Sequence, residues 1–61
     1  MKYIIYKDDF GYHGTQEKNY NARIQDASEI CDYTDFENAE DIKEYLIKYT
    51  YIDPANIIII N

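Results

Sequence analysis

The chain has 61 residues, 12 acids against 6 bases and a net charge of -6. That is the size of one small domain across 1–61 and excludes an enzyme built from separate cofactor and substrate lobes. With 46% hydrophobic and 16% aromatic residues but only two Gly and one Pro, there is enough apolar surface for collapse, which excludes a disordered chain. The acidic balance argues against direct binding of nucleic acid or an anionic membrane, both of which would repel it, and favours a basic protein partner.

Tyr3-Ile4-Ile5-Tyr6 reads as a strand and Lys7 to Gly11 as a turn. Phe10 to Thr15, with Gly11 and Gly14 around Tyr12 and His13, fits an irregular second strand folding back on the first. Gln16 to Asn21 is polar. One more short strand is expected between Arg23 and Tyr33, in competition with a helical turn over Asp26 to Asp32. The spacing then predicts a helix from about Asn38 to Tyr49. Asn38 suits the cap, Asp41 sits three positions on, and Ala39, Ile42, Leu46 and Tyr49 recur along one face. Glu37, Glu40, Asp41 and Glu44 fall on the opposite side, with Glu44 four residues before Lys48. Thr34 with Glu37 offers a rival capping box up to four residues earlier. Asp53-Pro54 stops any continuation, and Ile57-Ile58-Ile59-Ile60 forms the last strand.

An unbroken isoleucine strand wants both faces covered, so it is expected at the centre of the sheet, parallel to Tyr3–Tyr6 through a right-handed crossover. The fold class is α+β: a small three- or four-stranded sheet with one amphipathic helix packed on one face and the C-terminal strand central. One helix cannot cover both faces. The far side then needs a loop such as Gln16 to Asp26, a second copy of the chain, or a different protein. A core this small favours such a partner in any case.

Catalytic and metal signatures are wanting. Asp8, Asp9 and His13 offer carboxylates and an imidazole but too few ligands for a closed metal site, and are expected to form a solvated hairpin turn. Asp32 to Glu44 fails as a calcium loop, because Phe36 and Glu37 stand where an oxygen ligand and a glycine are required. Cys31 is the single cysteine, so it forms no internal disulfide. With His13 the sole histidine, a half-buried structural role in a reducing cytosol is expected for it. There is no phosphate-cradling glycine loop and no G-x-S-x-G. The expectation is a non-enzyme with no catalytic residue, no metal and no cofactor. Met1-Lys2 leads into only four apolar residues, and Ile57 to Ile60 is too short to span a bilayer, so the expectation is a soluble protein of the cytoplasm.

The acidic surplus is local. Residues 26–44 hold eight acids against Lys43, a charge of -7. A solvated helix face explains this blandly. A sharper reading is a phosphate mimic, since carboxylates one helical turn apart, about 5.4 Å, resemble the charge row of a nucleic-acid strand. Asp32, Asp35, Glu37, Glu40, Asp41 and Glu44 are then the candidate contacts to a Lys/Arg-lined groove. Tyr3, Tyr6, Tyr45 and Tyr49 are expected in the core or at its edge. Tyrosine beside acid, as in Asp32-Tyr33 and Glu44-Tyr45, also makes a good protein-binding anchor.

Eleven Ile, eight Tyr, five Asn and five Lys, with no Val, no Trp and a single Leu, fit the A/T-rich codons of a low-GC bacterium or its phage. The layout Lys2-Tyr3-Ile4-Ile5-Tyr6, a glycine turn, Asn21-Ala22-Arg23-Ile24 and Phe36-Glu37-Asn38-Ala39-Glu40-Asp41-Ile42 resembles small accessory proteins of phages and mobile elements. In size, acidity and composition the chain also resembles the phage-encoded anti-CRISPR proteins. That resemblance implies an inhibitor in the host bacterial cytoplasm that binds a Cas nuclease and blocks nucleic-acid binding by charge mimicry. The class shares no common motif, so it assigns no residue a role. The alternative is a homodimeric structural or adaptor module without enzymatic activity, in which a sheet face or strand edge pairs with its twin.

Overall fold

β-branched and aromatic side chains make Tyr3–Asp8 a strand (β1), and a turn at Asp9-Phe10 returns the chain as Gly11–Gln16 (β2). Gly11 sits at a φ of 123°, a backbone that side-chain-bearing residues rarely adopt. Glu17–Asn21 then forms a short helix (α1), Cys31–Asp32 a two-residue strand (β3), Ala39–Thr50 the main helix (α2) and Ile57–Ile60 the last strand (β4). Turns of 3-10 helix occupy Ala27–Glu29 and Pro54–Asn56. This computed structural model describes residues 2–23 and 27–60. Ile24 and Asp26, which enter the sequence reading of the segment after Arg23, lie outside the described residues.

The architecture is α+β, a four-stranded mixed sheet in the order β3-β2-β1-β4. β1 pairs antiparallel with β2 and parallel with β4, and β2 pairs antiparallel with β3. The parallel return of Ile57–Ile60 alongside Tyr3–Tyr6 is as expected. Its central position is not: β4 lies at the edge of the sheet, and the central strands are β1 and β2. Only Ile57 of the four isoleucines is buried, the other three being half-buried. An apolar run thus reports that both faces are partly covered, which an edge strand flanked by helices also satisfies. The segment between Arg23 and Tyr33 holds both forms weighed for it, a 3-10 turn followed by the strand β3.

Helix α2 begins where its cap dictates. Asn38 is extended, and its side-chain carbonyl accepts the Asp41 N–H at 3.0 Å, so the rival start at Thr34 is not used. Ala39, Ile42 and Leu46 pack on Tyr3, Ile5 and Ile57 to form the core, ringed by Tyr12, Tyr33, Phe36, Ile47, Ile52 and Ile59. Tyr49 departs from the expected stripe: it is 60% exposed. Its ring packs instead on Tyr45, at a centroid distance of 4.9 Å.

The far face is covered from within the chain. Ile4, Thr15, His13 and the half-buried Tyr6 point there, and α1 covers the β1–β2 part of it, with Tyr20 against Tyr6 at a centroid distance of 5.4 Å, while Ile58 and Ile60 on β4 stay half-buried. Asn19 is buried and donates from Nδ2 to Glu29, whose carbonyl accepts the Thr15 hydroxyl at 2.8 Å. Of the three covers considered for this face, the segment after Gln16 is the one observed.

Gly14 is required by close approach. A Cβ there would lie 2.6 Å from the Tyr3 ring and 2.7 Å from that of Tyr33. These rings are held over it by a 3.2 Å contact between their hydroxyls. Burial pushes the Tyr3 hydroxyl far above its ordinary titration range, with the bond to Tyr33 adding to it, so the pair stays neutral. Gly14→Ala is expected to destabilise the fold by about 1–3 kcal/mol, the usual cost of overpacking, read from the urea midpoint.

Candidate functional site

Tyr33 continues the β3 pairing, its N–H donating to the Tyr12 carbonyl at 2.9 Å. The chain then turns sharply, with the Phe36 N–H on the Tyr33 carbonyl at 3.1 Å. This turn carries Asp35, Phe36 and Glu37 against the exposed flank of α2. The Phe36 ring meets Tyr33 and Tyr45 edge-on at 5.9 and 5.7 Å, and Tyr45 meets Tyr49 at 4.9 Å. Between turn and helix lies a groove of about 540 Å³ lined by Asp35, Phe36, Glu37, Asp41, Glu44, Tyr45, Lys48 and Tyr49. Its walls hold four carboxylates and one base, and its apolar part is aromatic.

Four of the six carboxylates singled out in the sequence therefore share one groove: Asp35, Glu37, Asp41 and Glu44. Glu40 does not line it, because one residue turns it about 100° around the helix from Asp41. Asp32 is elsewhere altogether, on β3 beside His13. Lys48 reaches back over the Tyr49 ring, its Nζ 5.4 Å from the centroid. The electron-rich ring faces of this cluster thus already accept a cation.

A second constellation lies on the α1 side of the sheet. His13 is buried, and each ring nitrogen meets a carboxylate: Nδ1 meets Asp32 at 2.8 Å and Nε2 meets Asp8 at 2.9 Å. Ionised carboxylates only accept, so both contacts are satisfied together only when the ring is protonated and both nitrogens donate. Burial pulls its pKa down, but the hydrogen bonds and charges of Asp8 and Asp32 outweigh burial and hold it above the ordinary 6.5. Asp8 is held below the usual carboxylate range, first by the Phe10 N–H and then by His13. The expected solvated hairpin turn holds for the exposed Asp8 and Asp9 but is corrected for His13, which is buried with both ring nitrogens bonded. With both nitrogens engaged it has no lone pair for a metal or for general-base work. The sequence signal was the register: with the turn at Asp9-Phe10, Asp8 and His13 fall on one face, and Asp32 is directly opposite His13.

Cys31 is exposed rather than half-buried, because β3 is an outer strand of two residues with little to cover it. Among the described residues no His, Cys, Asp and Glu group is arranged to hold a metal ion, and no helix is long and apolar enough to cross a membrane. Comparison with protein-family models, with curated proteins and with solved structures yields no match.

Like charges gathered at the groove repel one another in the free protein. Raising the salt concentration to about 0.5 M shortens the screening length to a few ångströms and is expected to raise the melting temperature. The exposed turn variant Asp35→Asn/Glu37→Gln should show a smaller rise, both followed by circular dichroism.

Proposed function

We propose that this chain is a non-enzymatic inhibitor that seats basic side chains of a partner protein in the acidic, aromatic groove between residues 35–37 and α2. The observation that carries the reading is the convergence of Asp35, Glu37, Asp41 and Glu44 on the one groove floored by Phe36, Tyr45 and Tyr49. Carboxylates supply long-range attraction for Lys and Arg, and the tyrosine faces supply short-range cation–π contact. Tyr45 and Tyr49 are large anchors with little rotamer entropy to lose. The most concrete form is an anti-defence protein of the anti-CRISPR kind, acting in the host bacterial cytoplasm. There it occupies a Lys/Arg surface of a Cas nuclease that would otherwise take nucleic acid.

The test adds purified protein to guide-loaded Cas nucleases and measures target cleavage. Inhibition is expected to be competitive with target nucleic acid, to weaken as salt rises, and to fall at least about tenfold in the charge-reversal variant Glu37→Lys/Glu44→Lys. Undiminished cutting at large molar excess across several effectors removes the Cas form of the proposal.

One observation favours the homodimeric module as a second reading. β4 is an outer strand of four isoleucines, without a charge, proline or bulge to blunt its unpaired side. Antiparallel pairing of two such edges would be isologous and would continue the sheet through both copies. Sedimentation at micromolar concentration decides: this reading expects a dimer mass, and a monomer there rejects it. An edge of four residues is too small for a standard interface, so the dimer should dissociate on dilution.

A further inference from the structure

We infer that Asp8, His13 and Asp32 form a proton-controlled clasp that holds the outer strand β3, and the acidic turn that follows it, onto the sheet. β3 has two residues, both exposed, joined to β2 through the His13↔Asp32 and Gly14↔Cys31 registers. A strand so short buries almost no apolar surface of its own, so the polar tie counts for more than it would inside a sheet. The clasp spans all three strands concerned: Asp8 ends β1, His13 is central in β2, and Asp32 is half of β3.

The device needs two N–H donors on one ring. Neutral imidazole has a single N–H. After deprotonation one carboxylate faces a lone pair at under 3 Å, and two carboxylates remain close together with no cation between them. Asp8 keeps a donor in the Phe10 N–H at 2.8 Å, whereas Asp32, with its side chain 74% exposed, is free to swing into water. Opening therefore acts on β3 rather than on the hairpin.

Beside Asp8 and Asp32, further titratable groups on β1, α1 and the 3-10 turn lie near the ring. Tyr6 on β1 stacks 5.5 Å from it, and burial, then the charges of Asp8, Tyr20 and Asp32, push its hydroxyl above the ordinary 10.0. Tyr20 on α1 packs on Tyr6, and Glu29 on the 3-10 turn binds Asn19 and Thr15 instead of the ring. The sign follows from linkage. His13 is raised in the folded state, so its contribution is complete below 6.5 and is lost as pH rises through the higher folded value. Asp8 is lowered, so its contribution is present above its ordinary 3.8 and is lost as pH falls through the lower folded value. The clasp is closed between these limits and opens as pH rises through the folded-state value of His13, above 6.5.

Proton NMR titration of the His13 ring, with amide hydrogen exchange of Tyr33 across the same pH range, tests this. The expected midpoint lies above 6.5, and Asp32→Asn, which keeps an acceptor but removes the charge, lowers it. The Tyr33 amide should lose about tenfold or more of its protection through the parent midpoint, beyond the base-catalysed rise recorded for Ile4 and Ile5. In Asp32→Asn the loss should move to lower pH with the ring. His13→Gln, if folded, should show low Tyr33 protection at every pH. A midpoint at or below 6.5, or a Tyr33 amide that merely follows Ile4 and Ile5, overturns the clasp, whatever the outcome of the nuclease assay.

Discussion

The contact between the parallel strands β1 and β4 and the helix that joins them on one side governs the rest of this molecule. Ile5 and Ile57 on the sheet face Ile42 and Leu46 on α2, and these few side chains are most of what is fully removed from water. A chain of this length has little apolar area to spare, so each remaining element must be tied down by something other than a second core. The far face is tied by α1 through Tyr20 and Asn19. The outer strand β3 is tied by hydrogen bonds from His13 and from the Tyr33 N–H. Polar and aromatic contacts hold the periphery, and aliphatic burial holds the centre.

Legibility in the sequence follows the same division. α2 could be read because a 3.6-residue repeat, an asparagine cap and a following proline are local signals that agree with one another. The parallel partnership of Tyr3–Tyr6 with Ile57–Ile60 could be read because a helix separates two apolar strands. The edge position of β4 could not, since four isoleucines look alike whether one neighbour strand or two flank them. His13 was illegible for a different reason. Its partners are five and nineteen residues away, and only the register of three strands makes them neighbours. A one-residue change in where the hairpin turns would put Asp8 on the opposite face.

The acidic residues divide in the same way. Asp41 and Glu44 share a helix flank by periodicity alone, but Glu40, four residues before Glu44, shares that side as well, and only the position of the groove leaves it out. That Asp35 and Glu37 join them depends on the turn at Tyr33–Phe36, which is set by a backbone hydrogen bond and by the packing of the Phe36 ring on Tyr45. Asp32, grouped with them by charge, is drawn to the other face by His13. Counting charges along the chain found the acidic third of the protein but not its two distinct structures.

Those two structures meet at Tyr33. Its N–H extends the β3 ladder, its hydroxyl joins Tyr3 over Gly14, its carbonyl starts the turn, and its ring touches Phe36 and Tyr45. The residue before it is clasped to His13, and the residues after it line the groove. Helix α2 steadies the charge on its own side, because Glu40 and Asp41 sit in its first turn, where the helix dipole favours anions. Asp35 and Glu37 have no such support and depend on the turn for their position. Tyr33 thus joins the strand held by His13 to the groove by direct contacts on both sides, with its backbone setting the turn that carries the loop carboxylates and its ring resting on Tyr45 of the helix.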